Sequence, residues 1–230
     1  MSFSKQTPFS STFPDVKVHG GFYSGYSSLK DQLVQGLKIA LQQSGAQTIL
    51  VTGHSLGGAI AELAAVDLKL NAFPNYNYAT YTQGTPRSGN AAFSNLFSQL
   101  MNSSFREVHQ ADVVAHLPPL ILNFNHGPME IWFNEAFSSY RVCNSTMNGE
   151  DRSCSNSLLA PVSISDHINY RGVGMGGYCA SKKEVLQAAQ RPDAVEVDEF
   201  ETKENSTNQS GEEIEYVDSP YDKISYIGSK

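Results

Sequence analysis

Residues 47–70 read QTILVTGHSLGGAIAELAAVDLKL, and the change of pattern inside them decides the fold. Gln47 to Thr52 is a short apolar, β-branched run that reads as a buried strand. Leu56 to Leu70 is rich in Ala and Leu and reads as a helix. Between them Gly53-His54-Ser55-Leu56-Gly57 forms G-x-S-x-G, the pattern of a sharp strand-to-helix turn that carries an exposed serine. Glycines two residues to either side lack a β-carbon and let the helix approach the strand closely. The turn also aims the Leu56 N–H and the positive end of the helix at one point, where a negatively charged oxygen would be stabilised. Ser55 is therefore the candidate nucleophile and Leu56 a candidate oxyanion donor. A glycine-rich turn without chemistry is the competing reading, and the strand-helix context counts against it.

Outward from this turn, helical and extended patterns alternate. Upstream, residues 1–15 read as irregular, and Val16 to Phe22 (VKVHGGF) alternates briefly before a glycine pair. From Ser28 onward Leu29, Leu33, Leu37 and Leu41 recur every four residues, with Ser28 and Asp31 as a capping pair and Gly45 at the C-cap position. Downstream, Tyr76 to Thr82 is β-rich, about Asn90 to Met101 helical, and Phe105 to His109 extended; Met129 to Asn134 and Tyr140 to Cys143 read as further strands. Strand and helix in alternation require a largely parallel sheet with covering helices, an α/β fold.

A serine hydroxyl attacks a carbonyl poorly until a base takes its proton, so the histidines downstream matter. His167 lies in Ser165-Asp-His-Ile-Asn-Tyr170, a polar turn after a short apolar segment, near the end of the folded part. His109 sits within a strand pattern, the usual setting of a structural histidine, while His116 and His126 flank Pro- or Gly-rich loops and read as surface residues. For the acid that orients the base, Asp112 follows directly on the strand FREVHQ, where α/β sheets gather functional groups. Asp166 is its rival; as the immediate neighbour of His167 its side chain tends to point elsewhere than Nδ1. Asp67 reads as a solvated residue on a helix face.

Of 230 residues 40% are hydrophobic and 17% charged, and no apolar run reaches the roughly 20 residues of a membrane-spanning helix. The net charge of −7 is unevenly placed, for Asp193 to Lys230 hold eleven acids against three lysines, leaving residues 1–192 close to neutral. No basic cluster is present to bind a phosphate backbone, so nucleic acid is not an expected partner. The segment 181–230 is acidic and poor in apolar residues, a composition that predicts disorder, after a brief helix beyond Ala180. Cys143 and Cys154 flank a polar, turn-forming stretch of the kind a disulfide can close; three free thiols are the alternative, and Cys179 has no evident partner. Metal-ligand spacing is absent. Asn102, Asn144, Asn205 and Asn208 fit the N-x-[ST] glycosylation pattern. The opening MSFSKQTPFSSTFP lacks a basic segment followed by an apolar one and does not read as a signal peptide.

VHGGF (18–22), VTGHSLGG (51–58), QGTPRSGN (83–90), ADVVAHLPP (111–119), EIWF (130–133) and DHINY (166–170) together resemble the class 3 lipases, the fungal triacylglycerol-lipase-like family that includes feruloyl esterases. The resemblance covers Val16 to Cys179. It implies an α/β-hydrolase domain over 16–180 with Ser55 as nucleophile, Asp112 as acid and His167 as base, and no metal or organic cofactor. It further implies a Cys143–Cys154 disulfide, an acyl pocket lined by Leu117, Pro118 and Ile168, a lipid or other ester as substrate, and an extracellular location. The family's first strands, its R-G-[ST] segment with a second oxyanion donor, and its lid helix are not visible, so the chain reads as this domain without its N-terminal part. The strand ending at Thr52 is then expected at an open edge, a source of instability or aggregation. Three functions follow: an ester hydrolase, acting on lipids or on aryl esters; a catalytically impaired relative; and a lipid- or partner-binding module using the pocket and the acidic tail.

Overall fold

Residues 5–19, far from irregular, form a hairpin in which β1 (Gln6–Ser10) pairs antiparallel with β2 (Phe13–His19). They open a computed structural model that describes residues 5–143 and 150–175. Phe9, Val16 and Val18 bury themselves in the core, so a short, proline-containing hairpin is held by tertiary packing rather than by its own propensity.

Helix α1 (Gly20–Ser44) begins eight residues before the expected capping pair. The ring of His19 caps it, Nδ1 accepting the Phe22 N–H at 3.3 Å, while Ser28 lies inside the helix with its hydroxyl donating to the Gly25 carbonyl. Two glycines are poor helix formers, yet Phe22, Tyr23 and Tyr26 just after them pack against the core and outweigh that preference. Gly45 ends the helix as expected, at φ 66° with its N–H on the Leu41 carbonyl. The leucine stripe is less buried than its spacing suggests: Leu41 is buried, whereas Leu29 is 50% and Leu33 38% exposed.

The alternation then runs as expected. β3 (Thr48–His54) leads into α2 (Leu56–Asp67), which a single π-helical turn extends to Ala72. β4 (Asn77–Gln83), α3 (Ala91–Leu100) and β5 (Ser103–His109) follow, and then β6 (Glu130–Phe133) and β7 (Tyr140–Cys143). Strand order is β3-β4-β5-β6-β7, parallel throughout except that β7 is antiparallel to β6. Leu63, Ala65 and Val66 of α2 are fully buried against the sheet and α1. Asp67, expected to be solvated, is buried there, accepting from Tyr26 and Asn71 and paired with Lys30 at 2.9 Å.

Among the described residues β3 is the outer strand, and Leu50 on it is 63% exposed, in keeping with the expected open edge. The one-turn helix α4 (Ile164–His167) and the hairpin of β8 (Asn169–Tyr170) and β9 (Val173–Gly174) return across the carboxyl ends of the parallel strands. Cys179, the helix expected beyond Ala180 and the acidic segment 181–230 lie outside the described residues. Among those residues no helix is long and apolar enough to cross a membrane.

Candidate active site

Ser55 occupies the turn between β3 and α2 with φ 56° and ψ −129°, a conformation that favours glycine and is held here by its surroundings. Its N–H donates to the Gln83 carbonyl on β4 at 2.9 Å, and the N–H groups of Gly58 and Ala59 return to its carbonyl at 3.0 and 3.3 Å. A β-carbon at position 53 would lie 2.4 Å from the Gly57 carbonyl oxygen, and one at 58 would lie 2.1 Å from Thr85 Oγ1. At position 57 it would meet nothing within 4 Å. Close approach is therefore demanded at Gly53 and Gly58, rather than at the two glycines flanking the serine symmetrically.

The turn brings Ser55 Oγ to 2.8 Å from His167 Nε2, and the Nδ1–H of His167 points between both Asp112 oxygens, each 3.0 Å away. Asp112 is completely buried and His167 nearly so. The rest of the Asp112 carboxylate is satisfied by the Val114 N–H at 2.8 Å and the Tyr170 hydroxyl at 2.6 Å. Burial, then the adjoining Asp112 charge, holds the Tyr170 phenol well above its ordinary pKa, so it remains a donor. Gly84, at φ 56°, forms the floor. A β-carbon there would be 2.7 Å from Asp112 Oδ2 and 3.0 Å from both His167 Nδ1 and the Tyr170 hydroxyl oxygen.

His54, the variable residue of the G-x-S-x-G pattern, has a role that its sequence position did not disclose. Its Nε2–H donates to the His167 carbonyl at 2.8 Å and its ring stacks on that of His167, centroids 4.7 Å apart. Burial lowers its pKa, which keeps it neutral beside an imidazole that would gain charge. Asp166, the rival acid, instead accepts the Ala111 N–H at 3.0 Å, and its carbonyl lies 3.1 Å from His109 Nδ1, so it moors the base's segment to the end of β5. His116 and His126 are not free surface residues: half-buried His116 donates its Nδ1–H to the Asp112 carbonyl at 2.8 Å, and buried His126 donates from Nε2 to the Ala115 carbonyl at 2.7 Å. Tyr170 and Gly84 were missed as site residues, although both lie in motifs, DHINY and QGTPRSGN, quoted above.

Leu117 and Pro118 lie on the segment that follows Asp112, and Ile168, 46% exposed, directly follows His167. Leu56, Leu120, Ile121 and Ile164, each about half exposed or more, adjoin the same residues along the chain. Cys143 and Cys154 form a disulfide with Cα atoms 6.1 Å apart. Glu130 lies near both sulfurs, but they are bonded to one another and its carboxylate pairs with Arg106, which leaves no thiolate for a metal. Of the glycosylation patterns only Asn102 falls among the described residues; it is exposed, and its Oδ1 accepts the Tyr78 N–H.

A serine, a histidine and an aspartate joined by hydrogen bonds at the carboxyl ends of a mostly parallel sheet, in the chain order Ser, Asp, His, are the arrangement of the α/β-hydrolase fold. Residues 2–122 match the family described as Lipase (class 3), and the chain belongs to that family. It is 37% identical over 171 residues to a lipase of Rhizomucor miehei, covering 72% of this chain and 47% of that protein. It is 32% identical to secreted mono- and diacylglycerol lipase 1 of Fusarium solani, covering 57% of this chain and 40% of that protein. A solved triacylglycerol lipase whose catalytic centre is described as a serine protease triad superposes with a TM-score of 0.68 at 34% identity, over 75% of this chain and 65% of that one. The chain thus spans about half, or less, of the length of these two curated relatives.

Proposed function

We propose that the chain hydrolyses carboxylic esters of apolar acids through an acyl-enzyme, outside the cell. The observation that carries this reading is the unbroken line from Ser55 Oγ through His167 to Asp112, with exposed apolar side chains on either side of it in the chain. Ser55 Oγ attacks the ester carbonyl carbon while its proton passes to His167 Nε2. Asp112 stabilises the imidazolium, and the Leu56 N–H at the head of α2 receives the oxyanion, a donor worth roughly a hundred- to a thousandfold in turnover. The tetrahedral adduct expels the alcohol, which takes the proton from His167. Water then attacks the acyl-serine with His167 as base, releasing the acid and restoring Ser55.

Leu117, Pro118 and Ile168 line the acyl side of the site in this reading. Tyr170, Gly84 and His54 act through the acid and base: one fixes the Asp112 carboxylate, one leaves room for it, and one holds the backbone of His167. The disulfide and the likeness to a secreted relative support the extracellular location. The test is hydrolysis of p-nitrophenyl butyrate and of emulsified triacylglycerol by the purified chain and by Ser55→Ala. Release of acid by the first and not the second, with unchanged circular dichroism, is expected. Equal rates for the two proteins overturn the reading, as does the absence of hydrolysis from a folded wild type.

A further inference from the structure

The segment Ala115–Pro118 has four consecutive carbonyls, and none of them is paired within a strand. Arg87, the bulkiest fully buried side chain among the described residues, takes three of them. Its backbone N–H donates to the Leu117 carbonyl at 2.7 Å, and its Nη1 donates to the carbonyls of His116 at 2.5 Å and Pro118 at 3.0 Å. The fourth, that of Ala115, receives the Nε2–H of His126.

The far side of the guanidinium is fixed as firmly. Its Nε and Nη2 donate to the two oxygens of Glu150 at 2.6 and 2.8 Å, and Nη2 also donates to Asn156 Oδ1 at 3.2 Å. Glu150 in turn accepts the backbone N–H of His126, which closes the circuit between the two residues that hold the segment. Burial alone would raise the Glu150 carboxyl, but the bonded Arg87, with help from His126, holds it well below the usual carboxylate range, so the pair stays ionised.

A buried ion pair of this kind is a poor source of net stability, because desolvation consumes most of the attraction; what it supplies is a fixed arrangement. Here the arrangement fixed is the backbone that carries Leu117 and Pro118. We infer that Arg87 is a positioning residue for substrate selection: by clamping the carbonyls of His116, Leu117 and Pro118 it sets the wall against which the acyl chain lies, and so the preference among acyl lengths. This rests on the ester-hydrolase reading above. Lysine cannot replace the clamp, since an ammonium lacks the planar fork that serves two carbonyls on one side and a carboxylate on the other.

The clamp also borders the acid, because His116 donates to the Asp112 carbonyl. A disturbed acid would slow every ester alike, whereas a displaced wall acts on long chains more than on short ones. The experiment is therefore a ratio: kcat/KM for p-nitrophenyl octanoate and decanoate over that for the acetate, in the wild type and in Arg87→Lys. A fall of about tenfold in the ratio is expected, the lower end of what the fit of one methylene in an apolar pocket is worth. A uniform loss across all esters with a lowered melting temperature means a purely structural residue and overturns the inference, as does an unchanged ratio.

If Arg87→Lys does not fold, Glu150→Gln and Asn156→Ala loosen the same guanidinium while keeping it, and a flat ratio in both has the same meaning. Calorimetric titration of octanoate and decanoate into Ser55→Ala, with and without Arg87→Lys, separates the two readings. Should the wild type hydrolyse nothing, weaker binding of these acids in the double variant still upholds the clamp, and equal binding removes it.

Discussion

Two of the buried polar clusters among the described residues treat charge in opposite ways. Beside Ser55 the carboxylate bonded to His167 is Asp112, held by His167, Tyr170 and backbone N–H groups; among the described residues no arginine or lysine pairs with it. In the second cluster Arg87 pairs with Glu150 at 2.6 Å and Arg106 with Glu130 at 2.9 Å, all four side chains at most 3% exposed. Glu62 and His126 stand close enough to feel those charges. A buried carboxylate bonded by neutral donors keeps its charge available, so an imidazole that gains a proton finds a counter-charge already in place. A carboxylate neutralised by a guanidinium has nothing left to offer a reaction, and its contribution is geometry. Under the proposed reading, the first cluster serves the reaction and the second holds the scaffold.

The largest effect that can break this contrast is at Asp112. Asp112→Asn is expected to lower kcat by about 10⁴, because the amide no longer holds the tautomer of His167 that accepts from Ser55. The unfolding midpoint in urea should change little by comparison, and a large drop there would make Asp112 part of the scaffold. Glu130→Ala is the converse case: with Arg106 left buried and unpaired, urea unfolding should show a loss of about 3–5 kcal/mol. The folded fraction is expected to keep its kcat within a few-fold, and a selective collapse of kcat would place that pair in the chemistry.

Tyr170→Phe removes one hydrogen bond to the Asp112 charge and should reduce kcat about tenfold with a small change in melting temperature. Stopped-flow acylation kinetics would show whether the loss falls on the first step. The smallest effects are in the pH dependence of stability. His126, His19 and His54 have pKa values lowered by burial, so the unfolded chain binds more protons; their contribution is whole above 6.5 and is lost as pH falls through the folded values. Glu62 runs the other way. Burial raises its pKa to about 7 from 4.5, so its contribution is whole below 4.5 and is lost as pH rises through 7. Glu62→Gln should therefore raise stability by on the order of 1 kcal/mol at about pH 8 and change little at about pH 5. An unchanged difference between the two pH values would assign the slope to other groups.

The strand-to-helix turn at Ser55 was legible because everything it needs is local: a β-branched run, glycines at 53 and 58, an alanine-rich helix. Asp112 and His167 were legible for a related reason, Asp112 lying just past the end of β5 and His167 at the last residue of α4. The scaffold cluster was not. Arg87 meets Glu150, Arg106 meets Glu130 and Ser88 meets Glu62 across 63, 24 and 26 residues, and no spacing in the chain marks such pairs. His116 and His126 misread as surface residues for the same cause, their loops being polar in composition but enclosed by distant segments. The start of α1 was misplaced because propensity speaks against Gly20-Gly21, and only the packing of Phe22, Tyr23 and Tyr26 overrules it.

The backbone of Ser55 carries one more consequence, for anyone who evolves this protein in the laboratory. A serine at φ 56° occupies a conformation that glycine adopts without strain. Ser55→Gly would relieve that strain, so a screen that rewards thermal tolerance alone is expected to enrich proteins without the hydroxyl that the proposed reaction uses. Selection for robustness in this protein must be coupled to turnover at every round, since under the proposed reading the two objectives pull a single codon in opposite directions.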